Sequence, residues 1–426
     1  MKRKDGITEI VVLGGGFGGV YSVIRLERAL RRDLSKNITL VSDENFLLYT
    51  PLLHEVATGG VETRHIAYPI RRLLSRRRFS FRRSRVLKID LADRKVTTSG
   101  GILSYDYLIL ALGSTTDLSN LPNASANVFT LKNLHDGMVI RNHIIRMFEL
   151  ADAETDLKRK KQLLTFVVVG AGYTGVQLVT EVRSFIDRSL IRGYRNIDPA
   201  AVSVKLVEER GYVLSGEDAR LSATALRLLR HQGVGVRLGS RVTRLWDHGM
   251  ELDHLETEPT GTVVWTAGVV ANPVVAALPV EKDEKGRVIV DQYLRIPEYP
   301  MVYALGDNAH FADPKTGAVL PPRAHYAVRQ PRVVVANILA DLDGRGLRPY
   351  RYQPASELVS LGPRNAAMNL YGVHLSGLLA RIVWLVGYLS IMMGSYNRTR
   401  VALDWLLALI FGRDNTLLSV ERQRLP

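Results

Sequence analysis

The apolar positions of this chain fall into short runs that end abruptly on small residues. Glu9-Ile10-Val11-Val12-Leu13 is the first, a strand-like run that enters Gly14-Gly15-Gly16-Phe17-Gly18-Gly19, after which Val20 to Leu30 continue at helical spacing. Gly14, Gly16 and Gly19 have the spacing G-x-G-x-x-G: a tight turn, a backbone open to a pyrophosphate, and close packing of helix on strand. The start of the helix then turns free N–H groups toward the phosphates. One such loop is weak evidence. The pattern recurs, however, in Leu164-Thr165-Phe166-Val167-Val168-Val169 followed by Gly170-Ala171-Gly172-Tyr173-Thr174-Gly175. Two strand–loop–helix copies predict two dinucleotide sites and electron passage between two cofactors.

The remaining pattern fills in both units. Ile38-Thr39-Leu40-Val41 reads as the second strand of the first unit, with Ser42 and Asp43 as alternatives for gripping an adenosine ribose. Asn45 to Leu53, interrupted by Pro51, is either core packing or a wall beside a flavin ring. Val86 to Asp90 and Lys95 to Thr98 read as hairpin strands, and Tyr105 to Ser114 as a buried strand ending at Gly113. Residues 132 to 162 read as helix, closing on Lys158-Arg159-Lys160-Lys161, a boundary before the second unit. That unit's own second strand, Val202 to Val207, ends on Glu208. A carboxylate there accepts both ribose hydroxyls of NADH and repels the 2′-phosphate of NADPH, which favours NADH, while nearby Arg210 leaves room for NADPH. Val263-Val264-Trp265-Thr266-Ala267-Gly268 is another strand ending in small residues, and Met301 to Ala304 leads to Gly306-Asp307. The tail differs: Ile382 to Met393 and Val401 to Phe411 are apolar but cut by charge before about 20 residues, the length a spanning helix needs. With Trp384, Tyr388, Tyr396 and Trp405 at headgroup level, two helices lying in a membrane surface are expected; a buried hairpin or dimer interface is the alternative.

Composition narrows the chemistry. Cysteine is absent, which removes disulfides, thiolate metal sites and dithiol relays. A net charge of +15 is partly concentrated in Arg71, Arg72, Arg76, Arg77, Arg78, Arg82, Arg83 and Arg85. A solvated face is the ordinary meaning of such a run; anionic lipid is the sharper one, and nucleic acid comes last because no recognition motif accompanies it. Met1 to Asp5 lead straight into the first strand, so no signal or transit peptide is read and the cytosolic side is expected.

Together these residues resemble the type II NADH dehydrogenases, single-subunit FAD-dependent NADH:quinone oxidoreductases. The carriers are the two glycine loops, Tyr49-Thr50-Pro51-Leu52-Leu53-His54-Glu55-Val56-Ala57, Tyr105 to Ser114, Val264 to Gly268, Gly306-Asp307 and the aromatic, basic tail. The resemblance implies an α/β fold of two Rossmann-like domains, for FAD and NAD(P), of the pyridine-nucleotide-disulfide oxidoreductase superfamily, plus a C-terminal helical membrane-association segment. The domains expected are 1–125 and 284–372 for FAD, 126–162 as a helical connection, 163–283 for NAD(H), and 373–426 as amphipathic anchor. FAD then lies on Gly14, Gly16 and Gly19 with its ribose at Ser42 or Asp43, Asp307 on the ribitol and Ala324 near the isoalloxazine. NADH uses Gly170, Gly172, Gly175 and Glu208. The cofactor-binding set further takes in Phe17, Gly18, Thr50, Pro51, Val86, Ala111, Gly113, Tyr173, Thr174, Ala267, Gly268 and Gly306. The resemblance also implies NADH as donor, a quinone as acceptor without proton pumping, a lipid surface on the cytoplasmic face of the cell membrane, and a homodimer.

Three positions depart from the family pattern. His325 and Arg329 replace the two glutamines of Ala-Gln-x-Ala-x-Gln, and Gln177 replaces a common glutamate. As catalytic residues, His325 titrates near neutral pH and donates a proton, and Arg329 stabilises a developing quinol anion; as structural ones, both merely hydrogen-bond within a divergent helix. Gln177 hydrogen-bonds a carboxamide or simply packs. Relatives of this architecture that work through cysteines (sulfide:quinone, thioredoxin and lipoamide enzymes) are excluded. An NAD(P)H reductase with a non-quinone acceptor and a flavin-binding regulatory protein remain as alternatives.

Overall fold

A computed structural model describes residues 6–74, 77–119, 128–352 and 356–418. Met1 to Asp5, Arg76 and the expected 125/126 boundary lie outside the described residues. The chain forms two compact units: Met1–Leu48, Ala67–Thr115 and Val269–Pro354 make the first, and Tyr49–Ile66, Thr116–Gly268 and Ala355–Pro426 the second.

The first unit is built on a six-stranded sheet in the order Arg295–Ile296, Tyr299–Ala304, Tyr107–Leu110, Thr8–Leu13, Lys36–Ser42, Ser80–Arg83. All neighbours are parallel except the first pair. Helices cover a parallel sheet on both faces, which is why Ile10 to Leu13 and Leu108 to Leu110 are buried without alternation. The helix Phe17–Leu30 buries Val20, Val23 and Leu26. The expected hairpin forms with Val86 opposite Thr98 and Asp90 opposite Lys95, and a third strand, Gly101–Ser104, completes its sheet.

The second unit repeats the plan with an all-parallel order Val128–Thr130, Thr262–Trp265, Thr165–Val169, Ser203–Glu208, Gly235–Leu238. Thr165 to Val169 are buried throughout. The single helix expected over 132–162 is two, Leu134–Ala153 and Leu157–Leu163. Glu154 breaks it by accepting the Thr155 and Asp156 amides on its side chain, and Asp156 then caps the new helix through the Lys158 amide at 2.9 Å.

The unit boundaries differ from those expected. Residues 49–66 and 356–372 pack in the second unit, and the return to the first begins at Val269. An antiparallel sheet of Glu357–Ser360, Ala366–Leu370 and Val373–Gly377 leads into the helices Leu378–Ile391 and Ser395–Phe411. Among the described residues no helix is long and apolar enough to cross a membrane. The outer faces expose Leu379, Val386, Leu406, Ile410 and Phe411. The expected aromatic belt is corrected: Trp384 is fully buried and stacks on Tyr388 at 4.0 Å, and Trp405 donates its indole N–H inward to Glu55. Buried indoles need partners, and Glu55 supplies one. Of the four aromatic residues, Tyr396 alone is exposed. Asp404, which interrupts the apolar run, also turns inward, accepting from the Glu62 amide at 3.1 Å beside His65 Nδ1 at 2.6 Å.

Candidate cofactor sites

In the first unit the Thr8–Leu13 strand delivers its glycine loop to the carboxyl edge of the sheet. Gly14 has φ +109°, and a Cβ there would lie 2.1 Å from the Ala111 carbonyl oxygen, so only glycine makes the turn. A Cβ on Gly19 would meet the Gly14 oxygen at 1.8 Å, and one on Gly18 the Leu305 side chain at 2.1 Å. Gly16, by contrast, faces open space and precedes the helix with no side-chain cap, leaving the first-turn amides for a phosphate. Phe17 stacks on Tyr21, away from a capping role.

The two ribose candidates separate. Ser42 is buried beneath Gly15, whose Cβ would lie 2.4 Å from Ser42 Oγ. Asp43 is exposed and lines a cavity of about 420 Å³ with Arg83, Ser84, Arg85, Leu87 and Ser99. Arg83 Nε donates to the Asp43 carbonyl at 3.0 Å, and Ser84 N to the Ser42 carbonyl at 2.8 Å. Val86 is buried at the start of its strand, beside this cavity's lining residues. In the sequence Arg83 and Arg85 read as part of a solvated run; nothing in their spacing marks the cavity.

At the other end, Gly113 and Gly306-Asp307 are tied together. Gly113 N donates to Asn308 Oδ1 at 3.1 Å, Gly306 N to the buried Gln330 Oε1 at 2.6 Å, and Ser114 Oγ to Asp307 Oδ2 at 2.6 Å. Sequence reasoning misses Asn308 and Gln330 because their partners are backbone groups of no recognisable pattern. The next helix, Ala324–Arg329, exposes Ala324 and Arg329. The expectation that His325 titrates near neutral pH is corrected. Burial, with Arg323 and Arg329 adding positive charge, pushes its pKa down to about 4, so the ring is neutral. His325 Nε2 is buried without a hydrogen-bond partner among the described residues.

The second unit builds the matching cradle. Gly170 has φ +98°, and a Cβ there would lie 2.7 Å from the Ala267 amide nitrogen; a Cβ on Gly175 would lie 1.9 Å from the Gly170 oxygen. Gly172 faces open space before the helix Tyr173–Phe185, again with no side-chain cap. Tyr173 and Thr174 begin that helix. Thr266 Oγ1 donates to the Val169 and Gly170 carbonyls, locking the loop to the strand end before Ala267 and Gly268. Glu208 ends its strand as expected, accepting from Ala171 N at 2.6 Å and Arg210 N at 3.0 Å. Its carboxylate is thereby fixed against the glycine loop. Gln177 is buried on the same helix, and its Nε2 has no partner among the described residues. Thr50 and Pro51 open a short 3-10 turn in this unit, with Pro51 half-buried.

Each unit therefore carries a glycine loop at the carboxyl edge of a parallel sheet, running into a helix start that no side chain caps, the arrangement of a two-dinucleotide oxidoreductase. Residues 8–331 match the family model described as pyridine nucleotide-disulphide oxidoreductase, and residues 357–414 that of the NDH2 C-terminal domain. The chain belongs to the pyridine nucleotide-disulphide oxidoreductase family and, within it, to the type II NADH dehydrogenases. It is 30% identical over 417 residues to a probable NADH dehydrogenase of Dictyostelium discoideum, covering 95% of this chain and 90% of that protein. It is 30% identical over 434 residues to the type II NADH:quinone oxidoreductase Ndh of Mycobacterium tuberculosis, covering 97% and 90%. Its fold matches the structure of NDH2 from Plasmodium falciparum in complex with NADH at a TM-score of 0.87, with 18% identity over 96% of this chain and 99% of that one. The sulfide:quinone oxidoreductase of Aquifex aeolicus shares the fold at 0.74, with 18% identity over 96% of each chain.

Proposed function

We propose that this chain oxidises NADH and delivers the electron pair to a membrane quinone, without proton pumping and with FAD as resident cofactor. The observation that carries the reading is the pair of open phosphate cradles in a chain without cysteine, which leaves no thiol route for electrons. Bound FAD supplies the two-electron carrier chemistry that side chains lack. The first cradle (Gly14, Gly16, Gly19) holds its pyrophosphate. Asp43, facing the cavity, is the better ribose partner than buried Ser42, and Asp307 takes the ribitol end. The second cradle (Gly170, Gly172, Gly175) holds NADH, with Glu208 on the ribose and Gln177 offering its free amide N–H to the carboxamide. Neutral His325 donates an N–H bond to the acceptor, and Arg329 supplies positive charge as the quinol forms.

The exposed aliphatic faces of the two C-terminal helices rest in a lipid surface, on the cytoplasmic side of the membrane. A homodimer, as the family resemblance implies, belongs to the same reading. Anaerobic NADH addition to the yellow protein should bleach the flavin, and a menaquinone analogue should restore the colour. Bleaching without restoration points to a reductase with another acceptor; no bleaching leaves only a flavin-binding protein.

A further inference from the structure

The C-terminal segment commits several of its charges to the interior of the second unit. Arg381 Nη2 donates to Glu55 Oε1 at 3.1 Å and Nη1 to Ser360 Oγ at 2.6 Å, while Trp405 Nε1 donates to the second Glu55 oxygen. Arg413, just beyond the helix Ser395–Phe411, pairs with Glu181 and donates to Thr58 Oγ1 at 2.8 Å. The side chains of Glu181, Glu55, Arg381 and Arg413 are 1, 2, 5 and 9% exposed, so each acid of this buried cluster is matched by a guanidinium group. At the start of the same helix Arg398 donates to the Met392 carbonyl at 2.7 Å and Arg400 lies over the Tyr396 ring at 4.1 Å. At its far end, with Arg413 turned inward, the charge comes from other elements.

The helix Tyr173–Phe185 runs on through a π turn, Ile186–Leu190, and a 3-10 turn, Ile191–Gly193. A π turn is a rare insertion that shifts side chains off regular helix spacing, and such turns concentrate at functional positions. Ser189 within it accepts the Arg413 amide at 2.9 Å, and a Cβ on Gly412 would lie 3.6 Å from Ser189 Oγ. Its neighbour Arg188 is thereby fixed beside the end of the helix Ser395–Phe411, where Leu409, Ile410 and Phe411 are 61, 62 and 80% exposed.

A second arginine reaches the same place from the small sheet. The turn between Glu357–Ser360 and Ala366–Leu370 closes with Leu361 N on the Asn365 carbonyl at 2.9 Å and carries Arg364. Its Gly362 packs on the long helix two turns before Arg188: a Cβ there would lie 3.8 Å from the Thr180 carbonyl oxygen. Arg188 and Arg364 are both exposed, as is Arg192 one turn further on. The acids around them are already taken, Asp187 by Arg183, Glu181 by Arg413 and Asp414 by Arg141. Among the described residues neither Arg188 nor Arg364 has a carboxylate partner. Burial and then the positive charge of Arg364 and Arg413 lower the Arg188 pKa, against Glu181 and Asp187, so the two guanidinium groups feel each other.

Two guanidinium groups held together without a counter-ion repel, and an oxyanion between them replaces repulsion by charge-assisted hydrogen bonds. A phosphate suits their planar, forked donors. We propose that Arg188 and Arg364 form a headgroup site for the phosphate of an anionic phospholipid whose acyl chains lie along Leu409, Ile410 and Phe411. Free phosphate offers the same oxygens but leaves that aliphatic end uncovered; a lipid satisfies both. The inference rests on the lipid surface of the proposed function.

The test uses the full-length, FAD-loaded protein, co-sedimented with vesicles of phosphatidylcholine alone and of phosphatidylcholine with phosphatidylglycerol. Wild type should prefer the phosphatidylglycerol vesicles. Arg188→Gln and Arg364→Gln should each weaken binding to them about fivefold, and together about thirtyfold, while binding to phosphatidylcholine alone stays within about twofold of wild type. Arg220→Gln with Arg244→Gln removes the same charge from exposed positions elsewhere in the unit and should change neither. Soluble dihexanoyl phosphatidylglycerol should displace the protein at concentrations where inorganic phosphate does not. If the glutamine pair melts below wild type, Arg188→Lys with Arg364→Lys, which keeps the charge and loses the fork, should show an intermediate loss. Phosphatidylglycerol binding within about twofold of wild type in the folded pair overturns the site. An equal loss in the Arg220 and Arg244 control, which marks binding that follows net charge, overturns it too, and equal displacement by inorganic phosphate overturns the lipid as its occupant. A wild type that binds no vesicles sinks the lipid surface of the proposed function with the inference; one that binds both vesicle types equally sinks the inference alone.

Discussion

Replacing Glu208 by glutamine removes the charge and one of the two oxygens that accept from the Ala171 and Arg210 amides at 2.6 and 3.0 Å, so the remaining oxygen keeps only one of those bonds. Two effects then act in the same direction. A 2′-phosphate held about 4 Å from the carboxylate would be repelled by about 4 kcal/mol at an effective dielectric of about 20. Salt and the half-buried position of Glu208 reduce this to about 1–2 kcal/mol. The charge-assisted part of the ribose hydrogen bonds to NADH is worth a further 1 kcal/mol or about that. Together about 2–3 kcal/mol, or roughly thirty- to a hundredfold, should leave the ratio of kcat/KM for NADH over NADPH. Steady-state kinetics with both nucleotides measures this directly, and Glu208→Ala, which also frees the Ala171 amide, should raise KM for both. A Glu208→Gln ratio within about twofold of wild type would refute the ribose contact.

Two further outcomes follow from the second unit. His54 falls from 6.5 unfolded to about 4 folded, so the folded state prefers the neutral ring. Its stabilisation is fully present above pH 6.5 and is lost as pH falls toward 4, about 3 kcal/mol across that window. Urea unfolding followed by tryptophan fluorescence at pH 7 and 4.5 should show this drop, and His54→Gln should flatten it; an equal drop in the variant contradicts the assignment. Leu406→Glu with Ile410→Glu changes two exposed side chains on the outer helix face. Withdrawing each aliphatic side chain from lipid costs about 1.5–3 kcal/mol, so vesicle co-sedimentation should weaken about a hundredfold or more while the melting temperature stays put; undiminished binding would exclude that face.

The parts of the molecule legible in the sequence are those whose chemistry dictates residue type locally. A phosphate cradle needs glycine where a Cβ would strike a carbonyl, hence Gly14 and Gly170 announce themselves. Glu208 is legible because a strand end fixes where its carboxylate goes. The buried cluster is not, because its members are brought together only by the tertiary fold: Glu55 and Arg381 are 326 residues apart. Along the chain, Arg381 and Asp404 look like charges interrupting membrane-facing helices. In the structure they point inward, and Trp384 and Trp405 follow them. His325 shows the same limit from another side. Its residue type suggests titration near neutrality, but burial beside Arg323 and Arg329 removes it.

The second unit is stitched from Tyr49–Ile66, Thr116–Gly268 and Ala355–Pro426, and this has a cost during biosynthesis. Glu55 leaves the ribosome 326 residues ahead of Arg381, and Glu181 leaves 232 ahead of Arg413. At about 5–20 residues per second, the nascent chain carries an unpaired Glu55 for roughly a quarter of a minute to a minute. Until Arg381 and Arg413 emerge, that half of the molecule cannot close over its own acids, so termination before Arg413 should yield a chaperone client rather than a shortened enzyme.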